Sequence, residues 1–147
     1  MKIEFRKMEE KDRQIVFDMM RDFYNSSAVI STPDDSVLLN DIKACVSDNI
    51  FADGIIAMCD GEIAGYGMVT HSFSTEFGGK CLWLEDLYLK EEYRGLGIGT
   101  KYFEYIEKVY GDKCAVQRLE VERDNEGAIR NYKRNGFKVL DYMEMVR

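Results

Sequence analysis

The chain has 147 residues, room for one ordinary domain and no second independent core. Hydrophobic types make up 46% and charged types 32%, with 12 glycines and 1 proline, which excludes a disordered or collagen-like chain. Lys and Arg number 20 against 27 Asp and Glu, a net charge of −7 that speaks against a nucleic-acid or anionic-membrane surface and suits a cationic or neutral partner.

A short strand is expected over Lys2–Lys7, followed by a helix from Lys11 to Tyr24 with Ile15, Val16, Met19, Met20 and Phe23 at helical spacing. Asn25-Ser26-Ser27 ends it, and Ser31-Thr32-Pro33-Asp34-Asp35 reads as the start of a second helix, Asp34–Ser47, burying Leu38, Ile42, Cys45 and Val46. A hairpin follows, with Gly54–Cys59 and Glu62–Ser72 flanking Asp60-Gly61, a dipeptide suited to a two-residue turn with positive φ. Phe73–Lys80 reads as a polar loop, Cys81–Leu89 as a long strand and Glu91–Gly99 as a glycine-rich loop. A helix over Ile98–Tyr110, a strand over Ala115–Glu122, a helix over Asn125–Arg134 and a last strand or strand pair over Phe137–Val146 complete an α+β or mixed α/β order.

Met1–Lys7 alternates charged and apolar residues without a signal-peptide core, and no apolar run approaches about 18 residues, so a cytoplasmic setting without a membrane partner is expected. Cys45, Cys59, Cys81 and Cys114 are scattered and His71 is the single histidine, so no metal site is expected. The cysteines read as small reduced hydrophobes and His71 as a loop residue.

The most informative segment is Arg94-Gly95-Leu96-Gly97-Ile98-Gly99-Thr100, between a strand and a helix. Closely spaced glycines let backbone N–H groups approach an anion, and the outgoing helix adds unsatisfied N–H groups and the positive end of its dipole. A phosphate or pyrophosphate suits this place. The GxxxxGK[ST] pattern fails because Gly99-Thr100-Lys101 has the wrong order and no leading glycine at the required spacing. The dinucleotide pattern GxGxxG needs glycine where Thr100 stands, and the loop comes too late in the chain to leave a full dinucleotide fold behind it, although Glu120 mimics its ribose-binding acid. The bland reading is a tight turn. A second motif is Asn125-Glu126-Gly127-Ala128-Ile129-Arg130-Asn131-Tyr132-Lys133-Arg134-Asn135-Gly136-Phe137, which puts Asn125, Ala128 and Tyr132 on one helical stripe. That stripe reads either as an N-cap with a core tyrosine or as a ligand-facing wall.

The loop matches [RQ]xxGx[GA] and the helix matches NxxAxxxYxxxGF, and on these two motifs the chain closely resembles the GNAT acetyltransferase superfamily over nearly its whole length. The resemblance implies a single domain over residues 1–147. It also implies a twisted, mostly antiparallel sheet of about six or seven strands, flanked by about four helices and splayed between the strands at 81–89 and 115–122. It implies acetyl-CoA as co-substrate, held by Leu87, Tyr88, Leu89, Arg94, Gly95, Leu96, Gly97, Ile98, Gly99, Thr100, Asn125, Ala128 and Tyr132, with no metal. In the family the strand at 81–89 bulges, and the Leu87 N–H serves as an oxyanion donor. Tyr132, near the thioester sulfur, is the expected general acid for the departing thiolate.

Glu85 lies nine residues before Arg94, and Leu84-Glu85-Asp86-Leu87-Tyr88 looks like the diamine acetyltransferase branch, whose equivalent glutamate is the base. An alkylamine of pKa about 10 is almost wholly protonated at neutral pH, so a carboxylate is needed to take its proton. Glu85, Asp86 and Glu120 all remain open for that task, and Glu85 and Asp86 also read as a solvated strand end or a cation anchor. The implied reaction is N-acetyl transfer to a primary amine by direct attack in a ternary complex, with no recognisable cysteine nucleophile. The alternative is a non-catalytic acyl-CoA sensor or assembly module. The acceptor is a small-molecule or peptide amine, with polyamine, amino acid, peptide N-terminus and drug amine all open, and family habit adds a homodimer.

Overall fold

In the computed structural model, which describes residues 1–147, the elements run β1 (Ile3–Lys7), α1 (Arg13–Tyr24), α2 (Asp35–Val46), β2 (Ala52–Cys59), β3 (Glu62–Ser74), β4 (Gly79–Leu89), α3 (Ile98–Tyr110), β5 (Val116–Leu119) and α4 (Glu126–Arg134). The five strands form one open sheet in sequence order. The first three pairings are antiparallel and β4–β5 is parallel. The β2–β3 turn has Asp60 at φ 49° and Gly61 at φ 84°, the positive pair that the dipeptide requires.

Alternation along the strands supplies two apolar faces. Ile56, Tyr66, Met68 and Tyr88 face Val16, Met19 and Met20 of α1 and Leu38, Ile42 and Cys45 of α2. On the other face Ile55, Val69, Leu82 and Leu84 meet Tyr102, Phe103 and Ile106 of α3. The approach of α3 is so close at Gly67 that a Cβ there would lie 2.4 Å from the Tyr102 hydroxyl. Before α1, the buried Asp12 takes two hydrogen bonds from the Arg6 guanidinium, at 2.7 and 2.8 Å, and one from the Glu9 N–H at 2.8 Å. These bonds fix the turn that joins β1 to α1.

Three expectations are corrected. The sheet has five strands rather than six or seven, because residues 137–147 join no ladder. Phe137 packs on Phe103 at 5.6 Å between ring centroids, but Val139, Tyr142, Met143 and Met145 stay exposed. Strand propensity makes a strand only where a neighbouring backbone pairs with it, and the outer side of the four-residue β5 takes no partner. β5 is also shorter than Ala115–Glu122, since its ladder with β4 ends at Leu84–Leu119. His71 sits within β3 rather than in a loop, half-buried with its Nε2 2.9 Å from Asp53 Oδ2.

Candidate active site

Two irregularities in β4 create the site. Met68 pairs with Asp86 and Val69 with Leu84, so Glu85 is an unpaired extra residue, a β-bulge at the place the resemblance implied. β5 pairs with Cys81–Leu84 alone, so from Glu85 to Leu89 the β5 side of β4 has no strand beside it. A cleft of about 140 Å3 occupies this gap. Leu84, Glu85 and Leu87 form one wall, Leu119, Glu120 and Val121 another, and Asn125, Ala128 and Tyr132 of α4 a third, with Phe103 between them.

At the next turn of chain the glycine loop enters α3. Gly95 and Gly97 hold φ of 72° and 81°, and an added Cβ at either would meet no atom within 4 Å. Gly97 is the N-cap and has no side chain to satisfy the first amides of α3, whose N–H groups lack intrahelical acceptors. Open space, orphan amides and the helix dipole together fit an anionic group such as a pyrophosphate. Arg94 braces the loop: its Nε donates to the Leu89 carbonyl at 2.8 Å and its guanidinium lies 5.6 Å from the Tyr88 ring centroid. Ile98 is buried among Ala57, Cys59 and Ala64, pinning the first turn to the sheet, whereas Leu96 and Thr100 are exposed.

On α4, Asn125 is both N-cap and cleft wall. Its Oδ1 accepts from the Ala128 N–H at 3.3 Å. Tyr132 packs edge-on against Phe103 at 5.9 Å, and burial raises its phenol above the ordinary value, which keeps it protonated at neutral pH. A proton donor therefore stands in the cleft.

Acidic groups gather at the bulge. Glu85 is exposed, accepts from Thr70 Oγ1 at 2.8 Å, and lines both the cleft and a second cavity of about 200 Å3 on the α1–α2 face. Asp86 is 5% exposed and receives the Tyr24 and Tyr66 hydroxyls at 2.9 Å each. Burial pushes Asp86 up to about 6, against the pull of those two hydrogen bonds. Glu120 is raised to about 7, first by a carboxyl–carboxyl hydrogen bond with Glu144 and then by burial.

The model of the acetyltransferase (GNAT) family matches residues 16–137. The chain belongs to that family. Among curated relatives, the thialysine N-epsilon-acetyltransferases of Bos taurus and Sus scrofa are 41% and 40% identical over 83 residues, 56% of this chain and 48% of each relative. The chain thus spans about half the length of the curated relatives it matches. The structure of a possible acetyltransferase from Clostridium difficile 630 aligns at TM-score 0.82 and 24% identity, covering 99% of this chain and 96% of that one. An aminoglycoside N-acetyltransferase in complex with CoA aligns at TM-score 0.80 and 13% identity, covering 99% and 94%. These solved structures establish the GNAT fold.

Of the residues the GNAT motifs singled out, Glu85, Leu87, Asn125, Ala128 and Tyr132 share one cleft, and Gly95–Thr100 lead into the neighbouring helix end. Tyr88 differs: its side chain is buried on the α1 face, 6.0 Å from the Tyr66 ring, with its hydroxyl donating to Asp22. Only the backbone of Tyr88 is left for a ligand in the gap. Leu89 likewise packs its side chain against the Ile98 cluster. Sequence reasoning missed Asp41, which lines the second cavity with Tyr24, Glu85 and Asp86. Its signal was an acid on the apolar stripe Leu38, Ile42, Cys45.

Proposed function

We propose that the chain is an acetyl-CoA-dependent N-acetyltransferase acting on a primary amine of a small molecule. The observation that carries this reading is the position of Glu85, whose carboxylate borders both the Tyr132 cleft and the acid-lined cavity behind it. One base thus stands between a place for an acyl donor and a place for an amine. Relatives described as thialysine and aminoglycoside acetyltransferases support an amine acceptor.

Acetyl-CoA, when bound, supplies the activated acyl carbon. The amides at Gly95–Thr100 and the Arg94 side chain hold its phosphates, while Asn125 and Ala128 border its pantetheine arm. The Leu87 N–H, on the unpaired stretch of β4, donates to the thioester carbonyl as charge develops there. The ammonium first gives one proton to Glu85, directly or through water. The free amine then attacks, a C–N bond forming as the C–S bond breaks. The Tyr132 hydroxyl protonates the departing sulfur, and the second N–H proton leaves through water, which returns a proton to Tyr132. Glu120, tied to Glu144, and Asp86, held by two phenols, are less free to take that proton.

The reading includes a homodimer, supported by the exposed apolar residues of 137–147 and by the open edge of β5, and a reducing, cytoplasmic setting, supported by four free cysteines. The test of function is release of free thiol from acetyl-CoA with an amine panel. Amine-dependent release that Glu85→Gln lowers most at low pH supports it. CoA binding without release would make the chain an acyl-CoA sensor.

A further inference from the structure

Resting on that reading, we propose that Tyr88 and Asp22 are positioning residues for the coenzyme grip: together they seat the Arg94 guanidinium where it meets the phosphates. The Tyr88 side chain packs on the α1 face and lines neither the acyl cleft nor the cavity behind the bulge. Two contacts give it a task there. Its hydroxyl donates to Asp22 in the last turn of α1, and the Arg94 guanidinium lies over its ring, 5.6 Å from the centroid. Burial, and then the Asp22 bond, push this phenol up to about 12, so it stays protonated and keeps donating at neutral pH. A phenol that donates to a carboxylate releases electron density into its ring, and a more negative ring face holds a cation more firmly. Phe23 meets the ring edge-on at 6.3 Å and Tyr66 stacks on it at 6.0 Å, so the surface under Arg94 has little freedom to turn.

Arg94 is exposed and forms no ion pair, although Glu91 and Glu92 stand three and two residues before it. Its Nε is occupied by the Leu89 carbonyl at 2.8 Å, while its two terminal nitrogens make no hydrogen bond within the protein. A guanidinium fixed at Nε and held over one ring face offers its terminal N–H groups as a fork of set direction, the arrangement that phosphate oxygens accept. An arginine ordered in advance also loses less rotamer freedom on meeting a ligand than one fixed at that moment. Gly95 and Gly97, directly after it, bring open backbone to the same anion. The side chain of Tyr88 thus acts through Arg94, and Asp22 through Tyr88.

The test compares two donors with the full chain: acetyl-CoA, and S-acetylpantetheine, which carries the same thioester and no phosphate. Calorimetry gives the Kd of CoA without any turnover, and initial rates with 1,4-diaminobutane give KM and kcat for each donor. Asp22→Ala and Tyr88→Phe are each expected to weaken CoA by about 2–10-fold, with KM for acetyl-CoA rising alike. Tyr88→Leu removes the ring face and should weaken CoA by about 3–30-fold. KM for S-acetylpantetheine and kcat with acetyl-CoA should stay within about twofold, because the thioester end is untouched. Asp22→Asn, whose side-chain carbonyl still accepts from the phenol, should regain most of the wild-type affinity. In an Arg94→Ala background, Tyr88→Phe should cost no further affinity. Tyr88→Leu cuts into packed rings, so Asp22→Ala, on the exposed side of α1, supplies the same comparison with the core intact. Unchanged CoA affinity in all three variants, an equal loss with both donors, or an equal loss in the Arg94→Ala background overturns the positioning role and leaves acetyl transfer standing. A wild-type protein that binds no CoA overturns the transferase reading and this inference with it.

Discussion

Replacing Tyr132 by phenylalanine separates chemistry from packing. The ring contributes its contacts with Phe103 at 5.9 Å and Phe137 at 6.2 Å, and phenylalanine keeps both. The hydroxyl is buried and makes no hydrogen bond within the protein, so removing it breaks none. Stability should change by less than about 0.5 kcal/mol, a Tm shift of about 2 °C or less for a chain of this size. The barrier should rise far more. A general acid contributes about 10²–10⁴ in rate, so kcat should fall by that factor, equivalent to ~3–5 kcal/mol. Affinity for CoA, measured by calorimetry, should stay within about threefold, since the proton is needed only as the sulfur departs. Initial rates of thiol release at saturating acetyl-CoA read the first effect and a melting curve the second. A variant that keeps wild-type kcat would refute the acid role. A fall in kcat matched by a fall in Tm would show that packing, not the proton, was removed.

Valine at Gly97, where φ is 81°, costs roughly 1–2 kcal/mol of strain and fills the open space before α3, so CoA affinity should drop about 10–100-fold by calorimetry. Gly78→Val is the control, at φ 68° with equally open space but on the β3–β4 loop, and should cost stability without affinity. Asp12 is held below the usual carboxylate range chiefly by its hydrogen bonds from Arg6, so its contribution is present above its unfolded pKa and is lost as pH falls through the lowered folded value. Asp12→Asn should lower Tm near pH 7 by several degrees, with the gap to wild type closing in acid. Asp86, facing Tyr24, Tyr66, Asp41 and Glu85, has the opposite sign, because its folded pKa near 6 lies above the ordinary value of 3.8. Its proton stabilises the fold as pH falls from about 6 to about 4, and its charge favours a cationic acceptor as pH rises through 6. Acceptor KM should therefore improve across that window in wild type and much less in Asp86→Asn.

Local chemistry made much of this molecule legible from residues alone. Asp60-Gly61 could serve only a turn with positive φ, and Gly95 and Gly97 only a loop with backbone exposed before a helix. The stripe Asn125, Ala128, Tyr132 follows from helical spacing and does face the cleft. What the residues hid was set by partners distant in sequence. Phe137–Val146 has the pattern of a strand, but a strand also needs a neighbouring backbone to pair with it, which no local pattern encodes. The direction of the Tyr88 side chain was also hidden, because it depends on α1 bringing Asp22 to its hydroxyl. Asp41 stands on the apolar stripe of α2, and only the packing of α2 against β2 brings it to a cavity that Glu85 also lines.

The most direct measurement is product stoichiometry. Acetyl-CoA and 1,4-diaminobutane are incubated with the full chain, and acetylated amine, free CoA and intact protein are all quantified by mass spectrometry. The account predicts acetylated amine and CoA in equal amounts, with no acetyl group left on the protein. An acetylated side chain on the reaction path, or CoA held without any product, would contradict it.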